Sequence, residues 1–183
     1  MRLLSVLAVT ACLAAVPSAA FAQTKGFTLS SPDIKNGAFA PAQIFNSFGC
    51  TGGNVSPQLV WSGAPQGTKS FVLTVFDPDA PTGSGFWHWV VANIPPTATG
   101  IPNGASKTPK MPAGALETRT DFGMPGYGGP CPPPGPAHRY VFSLFALKLD
   151  KIDVTADSSG ALVGFNTRAN SLGTATFTAK YGR

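Results

Sequence analysis

Ser70-Phe71-Val72-Leu73-Thr74-Val75-Phe76 is nearly all apolar, rich in β-branched and aromatic residues, and runs straight into Asp77-Pro78-Asp79-Ala80-Pro81. Successive side chains of a strand face opposite ways, so a strand that is apolar on both faces needs cover on both. This run therefore belongs inside a sheet that has packing layers on each side. Phe86 to Asn93 and His138 to Leu149 read as two more strands of the same kind. With 21 Gly and 18 Pro in 183 residues, the rest of the chain favours rigid turns over helices.

Further strands are predicted at Phe27-Thr28-Leu29-Ser30, at Gln58 to Ser62 and at Ser171 to Tyr181, where Leu172, Thr174, Thr176 and Thr178 alternate with Gly173, Ala175, Phe177 and Ala179. Phe39 to Phe45, interrupted by Pro41, reads as a short edge strand. Asp157 to Asn170 is the plausible helix, with Asp157 or Ser158 as its cap and Ala161, Leu162, Phe165 and Ala169 at helical spacing. Thr97 to Pro136 is long and irregular, but Phe122, Met124, Tyr127 and Cys131 imply that its second half is packed. Strands dominate and no βαβ alternation is present. The expected fold is mainly β: an antiparallel β-sandwich of Greek-key type with one or two peripheral helices.

Met1 to Ala22 has Arg2, an apolar run from Leu3 to Val16 and Ala20-Phe21-Ala22 before Gln23, the pattern of a cleaved signal peptide. The run is short of the roughly 20 apolar residues a membrane span needs. Residues 23–183 then form one domain, periplasmic or secreted, with no second segment apolar enough to cross a membrane. The formal charge of +5 falls to +4 with the leader and is scattered, which argues against a nucleic-acid partner. Cys12 leaves with the leader, so Cys50 and Cys131 form an even pair in an exported chain and are expected to be a disulfide.

The chain has two histidines, His88 and His138. Alternation puts His138 and Tyr140 on one face of their strand and Arg139 on the other. It likewise places Trp87 and Trp89 together and His88 opposite them. Asp77 ends a strand while both histidines lie near the start of one, so antiparallel neighbours would gather them at one rim. An Asp beside a His, a Tyr hydroxyl and free backbone N–H groups at Gly128-Gly129 suit a phosphate or carboxylate. Each histidine alone is more often a satisfied structural residue than a functional one.

Asp77-x-Asp79 could instead hold a metal with a nucleotide diphosphate, and two histidines with a carboxylate could hold a metal alone. No H-E-x-x-H, G-x-S-x-G, P-loop or dinucleotide glycine pattern supports either metal or catalytic chemistry. Paired cysteines offer no nucleophile. The residues favour a binding pocket over an enzyme, with no metal and no cofactor.

Asp77-Pro78-Asp79-Ala80-Pro81, Trp87-His88-Trp89 and the Gly-Pro-rich segment ending in His138-Arg139-Tyr140 together resemble the signature of phosphatidylethanolamine-binding proteins. That family includes the Raf kinase inhibitor protein and its bacterial relatives. Ser56-Pro57-Gln58-Leu59 with Trp61, Asp121-Phe122-Gly123 and Tyr181-Gly182-Arg183 resemble the bacterial branch in particular. The resemblance implies a β-sandwich with a small pocket for phosphate-like anions and phosphorylated head groups. Asp77, His88, His138 and Tyr140 match the family's pocket residues, and Asp79 matches the second Asp of the motif. Gly129 and Pro130 belong to a loop that contributes in the family. The run Gly129 to Gly135 carries extra residues here, which leaves open the proline that lines the pocket.

Three functions compete on this reading. The first is an exported module that binds a small anionic or phosphorylated ligand. The second is a protein-interaction or inhibitor role for the Thr97 to Pro136 stretch, on a partner in the periplasm or on a host. The third and least favoured is a hydrolase using the His and Asp pair. Cytosolic kinases, the partners of eukaryotic members, are not partners an exported protein would meet.

Overall fold

The computed structural model describes residues 23–183, and the leader reading of Met1 to Ala22 lies outside the described residues. The strands are β1 (Thr28–Ser30), β2 (Leu59–Ser62), β3 (Ser70–Asp77), β4 (Phe86–Ile94), β5 (Gly100–Ile101), β6 (Leu116–Glu117), β7 (His138–Leu147) and β8 (Ser171–Tyr181), with the helix α1 (Gly160–Asn170) before the last. A small sheet has the order β1-β2-β5 and a larger one the order β6-β4-β3-β7-β8, antiparallel at every junction. Within the larger sheet, β7-β3-β4-β6 is a Greek-key order: β3, β4 and β6 neighbour one another, and β7 returns by a long connection to the free edge of β3. The stretch from Thr97 to Pro136 is therefore not wholly irregular, since it contributes β5 to one sheet and β6 to the other.

The central strand β3 is buried on both faces, as its composition requires. Phe71, Leu73 and Val75 enter the core between the sheets with Phe27, Leu59, Trp61, Trp89 and Phe142. On the opposite face, Val72 joins Val90, Ala92, Leu147, Ile152 and Val163, the last from α1.

Three local expectations are corrected. Phe39 to Phe45 is not an edge strand: Pro41–Gln43 forms a 3-10 turn, in which proline takes the first position and needs no N–H partner. The helix begins at Gly160, capped by Ser159, whose Oγ accepts the Leu162 N–H at 3.2 Å. Its buried face is Gly160, Val163 and Thr167, whereas Leu162 and Phe165 are 47% and 74% exposed. The reason is Gly160, whose missing side chain lets the first turn lie against the Trp87 indole and so decides which face turns inward.

The third correction concerns Trp87 and Trp89, which do not share a face. Val75 pairs with Trp89 and Phe76 with Trp87, so β4 carries an extra residue, His88, at that point. Such a bulge breaks the alternation and re-aims the side chains beside it. Trp87 consequently packs against the α1-side cluster while Trp89 lies in the core between the sheets.

Cys50 and Cys131 are bridged, with Cα atoms 6.0 Å apart, which ties the loop after the 3-10 turn to the proline run before β7. Replacing both with Ser should lower the unfolding free energy by roughly 4–5 kcal/mol, the chain-entropy value for a loop of about 80 residues. Urea unfolding would read this as a lower midpoint, and an unchanged midpoint would show that the loop is held without the bridge.

Candidate functional site

Asp77, the last residue of β3, is 3% exposed. Its Oδ2 accepts a hydrogen bond from His138 Nδ1 at 2.7 Å and its Oδ1 accepts the Asp79 N–H at 2.8 Å. The antiparallel pairing of β3 and β7 sets Phe76 opposite Val141, so β7 begins where β3 ends and His138 meets Asp77 there. Tyr140, two residues on, shares the face of His138, and both line the same cavity.

His88 reaches this cavity through the bulge. Its Nδ1 lies 2.9 Å from the Gly128 carbonyl oxygen, and the Gly128 N–H returns a 2.9 Å bond to the His88 carbonyl. A carbonyl only accepts, so Nδ1 carries the proton and Nε2 of the neutral ring is a lone pair. Burial pushes the imidazole pKa below its ordinary 6.5, outweighing the Gly128 carbonyl and the Asp77 charge. The ring packs edge-on against Tyr140 and Phe122, with centroids 5.0 and 5.4 Å away.

The Tyr140 hydroxyl is buried without a hydrogen-bond partner. Burial first, then the Asp77 charge, raises its pKa, so it remains a protonated donor. A buried hydroxyl left unpaired is costly, and here it lines a cavity of about 360 Å³. Asp77, His88, His138 and Tyr140 form the polar floor, while Phe48, Phe86, Phe122 and Pro132-Pro133-Pro134 form apolar walls.

The other residues singled out from the sequence lie elsewhere. Asp79 faces away and is gripped by Arg139: Nη2 donates to Oδ1 at 2.7 Å, and Nε and the backbone N–H both donate to Oδ2 at 2.9 Å. The Arg139 side-chain bond is the main cause that holds the Asp79 carboxyl near about 2. An Asp already neutralised in this way does not form a chelating pair with Asp77. Gly128 and Gly129 do not offer free N–H groups, because Gly128 bonds to His88 and Gly129 donates to Asn54 Oδ1 at 2.8 Å. Pro130 is buried and its carbonyl accepts the Phe45 N–H, so the prolines of this run that line the cavity are Pro132, Pro133 and Pro134, with Pro81 joining them from the turn after β3.

Sequence reasoning missed Phe48, Phe86, Phe122 and Arg183 as lining residues. Phe86 pairs with Asp77 across β3 and β4, a position that follows once the bulge is known. Phe48 could be suspected from its place two residues before Cys50. Arg183 stands out in the sequence only within Tyr181-Gly182-Arg183, with no local sign that it lines the pocket.

Compared with known proteins, residues 30–182 match the family model described as phosphatidylethanolamine-binding protein. The Escherichia coli protein YbcL is 52% identical over 164 residues, 87% of this chain and 90% of YbcL. YbhB of the same organism is 50% identical over 155 residues, 84% of this chain and 98% of YbhB. The crystal structure of YbcL, described as a new member of the mammalian PEBP family, superposes with a TM-score of 0.84 at 51% identity, covering 86% of this chain and 99% of that one. LppC of Mycobacterium tuberculosis, named as a candidate lipoprotein, is 40% identical over 121 residues, 66% of this chain and 55% of LppC.

Two measurements probe the site's electrostatics. Imidazole ¹⁵N NMR should find His88 protonated at Nδ1 and titrating below 6.5, so its contribution to stability is complete above that pH and declines as pH falls below it. A midpoint above 6.5 would contradict the burial argument. For Asp79 the folded pKa of about 2 lies below the ordinary 3.8, so its pairing stabilises fully above about pH 4 and is lost as pH falls through about 2. Asp79→Asn should lower Tm by about 2–3 °C at neutral pH, with the difference vanishing toward pH 2 in thermal melts.

Proposed function

The chain belongs to the phosphatidylethanolamine-binding protein family, and from that premise we propose that it is an exported binding protein whose pocket takes a small anionic or phosphorylated group. The observation that carries this reading is the orphan Tyr140 hydroxyl on the cavity floor, beside His138 and His88. Tyr140 supplies a donor. Each histidine has its Nδ1 engaged, which leaves Nε2 as its remaining polar ring atom. A phosphate or phosphomonoester presents P–O acceptors to the hydroxyl and a P–OH proton to an imidazole lone pair. The cavity is within the usual range for small-ligand sites, and its apolar walls leave room for a substituent on the anion.

Binding without turnover fits the same residues. Cys131 is held in the disulfide, and the Thr82 hydroxyl donates to the Gly85 carbonyl at 2.6 Å rather than to a general base, which supports binding over covalent catalysis. The alternative, a protein-interaction or inhibitor role for the Thr97 to Pro136 stretch, is narrowed to its exposed parts, because residues 126–130 pack into the interior. Periplasmic or secreted location rests on the Met1 to Ala22 pattern and on the name of the relative LppC. Among the described residues, no helix is long and apolar enough to cross a membrane.

Calorimetry with phosphate, phosphorylethanolamine and acetate tests the proposal. Saturable binding is expected for at least one of them. Tyr140→Phe should weaken it about fivefold, the value of one hydrogen bond, and His138→Ala should weaken it further. No heat with any of the three, or equal heat from His138→Ala, would overturn the reading.

A further inference from the structure

The polar floor does not by itself explain a preference for anions. Asp77 and His138 together carry one negative charge when the imidazole is neutral and none when it is protonated. His88 is buried and donates to a carbonyl, so it adds no charge. Asp79 and Arg139 cancel one another outside the cavity. A positive charge must come from another part of the lining.

Beyond β8 the chain supplies one. Tyr181 is the last residue of β8 and pairs with His138, Gly182 then passes over Ala137, and the Arg183 carbonyl accepts the Gly135 N–H at 3.1 Å. This path runs back along the segment that leads into β7 and carries the Arg183 side chain to the cavity mouth. There Nε donates to the Pro132 carbonyl at 2.7 Å. Nη1 lies over Gly49, whose φ of +83° and lack of a side chain make space for it, since a Cβ there would sit 2.9 Å from Nη1. The guanidinium is thus seated between the Gly49 loop and the proline run, the two segments that Cys50–Cys131 joins. Among the described residues, no carboxylate lies within ion-pair distance of it, and it is the one Lys or Arg side chain lining this cavity.

We propose that Arg183 is the specificity-determining residue of the pocket, supplying the positive charge that admits an oxyanion and presenting its free guanidinium N–H groups to the oxygens nearest the mouth. This rests on the anion-binding reading above and adds what that reading lacks, a source of charge selection. A planar guanidinium with its Nε already fixed presents its remaining donors in a set direction, which suits the adjacent oxygens of a phosphate group.

The test is calorimetric titration of the full protein with inorganic phosphate, at low and at high salt, with Arg183→Gln and Arg183→Lys alongside. Arg183→Gln should weaken phosphate binding about tenfold or more, as for one lost charge-assisted hydrogen bond, and should flatten its salt dependence. Arg183→Lys keeps the charge and should retain most of the salt dependence. Because the residue is exposed, the melting temperatures of both variants should fall alike and by no more than the loss of the one hydrogen bond to Pro132. Equal phosphate affinity in Arg183→Gln overturns the role of Arg183 and leaves the pocket reading intact. Arg183→Lys as weak and as salt-insensitive as Arg183→Gln also overturns it, showing a strap rather than a charge. No phosphate binding by the unsubstituted protein overturns the anion pocket and this inference together.

Discussion

A carboxylate stripped of water must be hydrogen-bonded from within, and the architecture around Asp77 answers that demand. One oxygen takes the His138 N–H and the other takes the Asp79 N–H, so the end of β3, the turn after it and the start of β7 are held by one side chain. The turn then grips β7 a second time through Asp79 and Arg139. Consecutive residues of β7 are thereby fixed on opposite faces, His138 toward the cavity and Arg139 toward solvent. This leaves Nδ1 of His138 committed and keeps its ring oriented before any ligand arrives.

The features legible in the sequence were those governed by strand periodicity. The buried run at Ser70 to Phe76, the closing strand at Ser171 to Tyr181, and the shared face of His138 and Tyr140 all follow from a two-residue repeat, and β3, β7 and β8 keep that repeat near the site. Where the repeat breaks, the reading broke with it. The bulge at His88 leaves no mark in composition, because Trp87-His88-Trp89 looks like ordinary alternation. The helix misled for a different reason. Leu162 and Phe165 mimic a buried stripe, but the inward face is chosen by Gly160 against Trp87, a tertiary contact that no helical repeat encodes.

Backbone donors were equally illegible. Gly128-Gly129 reads as an open anion cradle, yet its N–H groups are consumed by His88 and by Asn54. The long connection is spent on fixing His88, since Gly128 both donates to its carbonyl and accepts from its ring. Asn54, with φ of +50°, reaches across from the loop near Cys50 to complete the same bracket. Prolines and aromatic rings then cover what remains, so the floor is polar and the walls are dry.

That division has a chemical consequence for the proposed ligand. A dry wall strengthens every polar interaction at the floor, and it also removes the water that would otherwise satisfy an unmatched lone pair. Tyr140 has an O–H to donate, because its hydroxyl stays protonated, and an acceptor satisfies it. Neutral His88 can only be met by a donor at Nε2, because Nδ1 faces the Gly128 carbonyl. A fully deprotonated oxyanion answers the first requirement and fails the second. An oxyanion that still carries a proton, as inorganic phosphate does near neutrality and a phosphomonoester does below its second pKa of about 6, answers both without moving a side chain. On the proposed reading, the floor selects on the ligand's protons while the mouth selects on its charge.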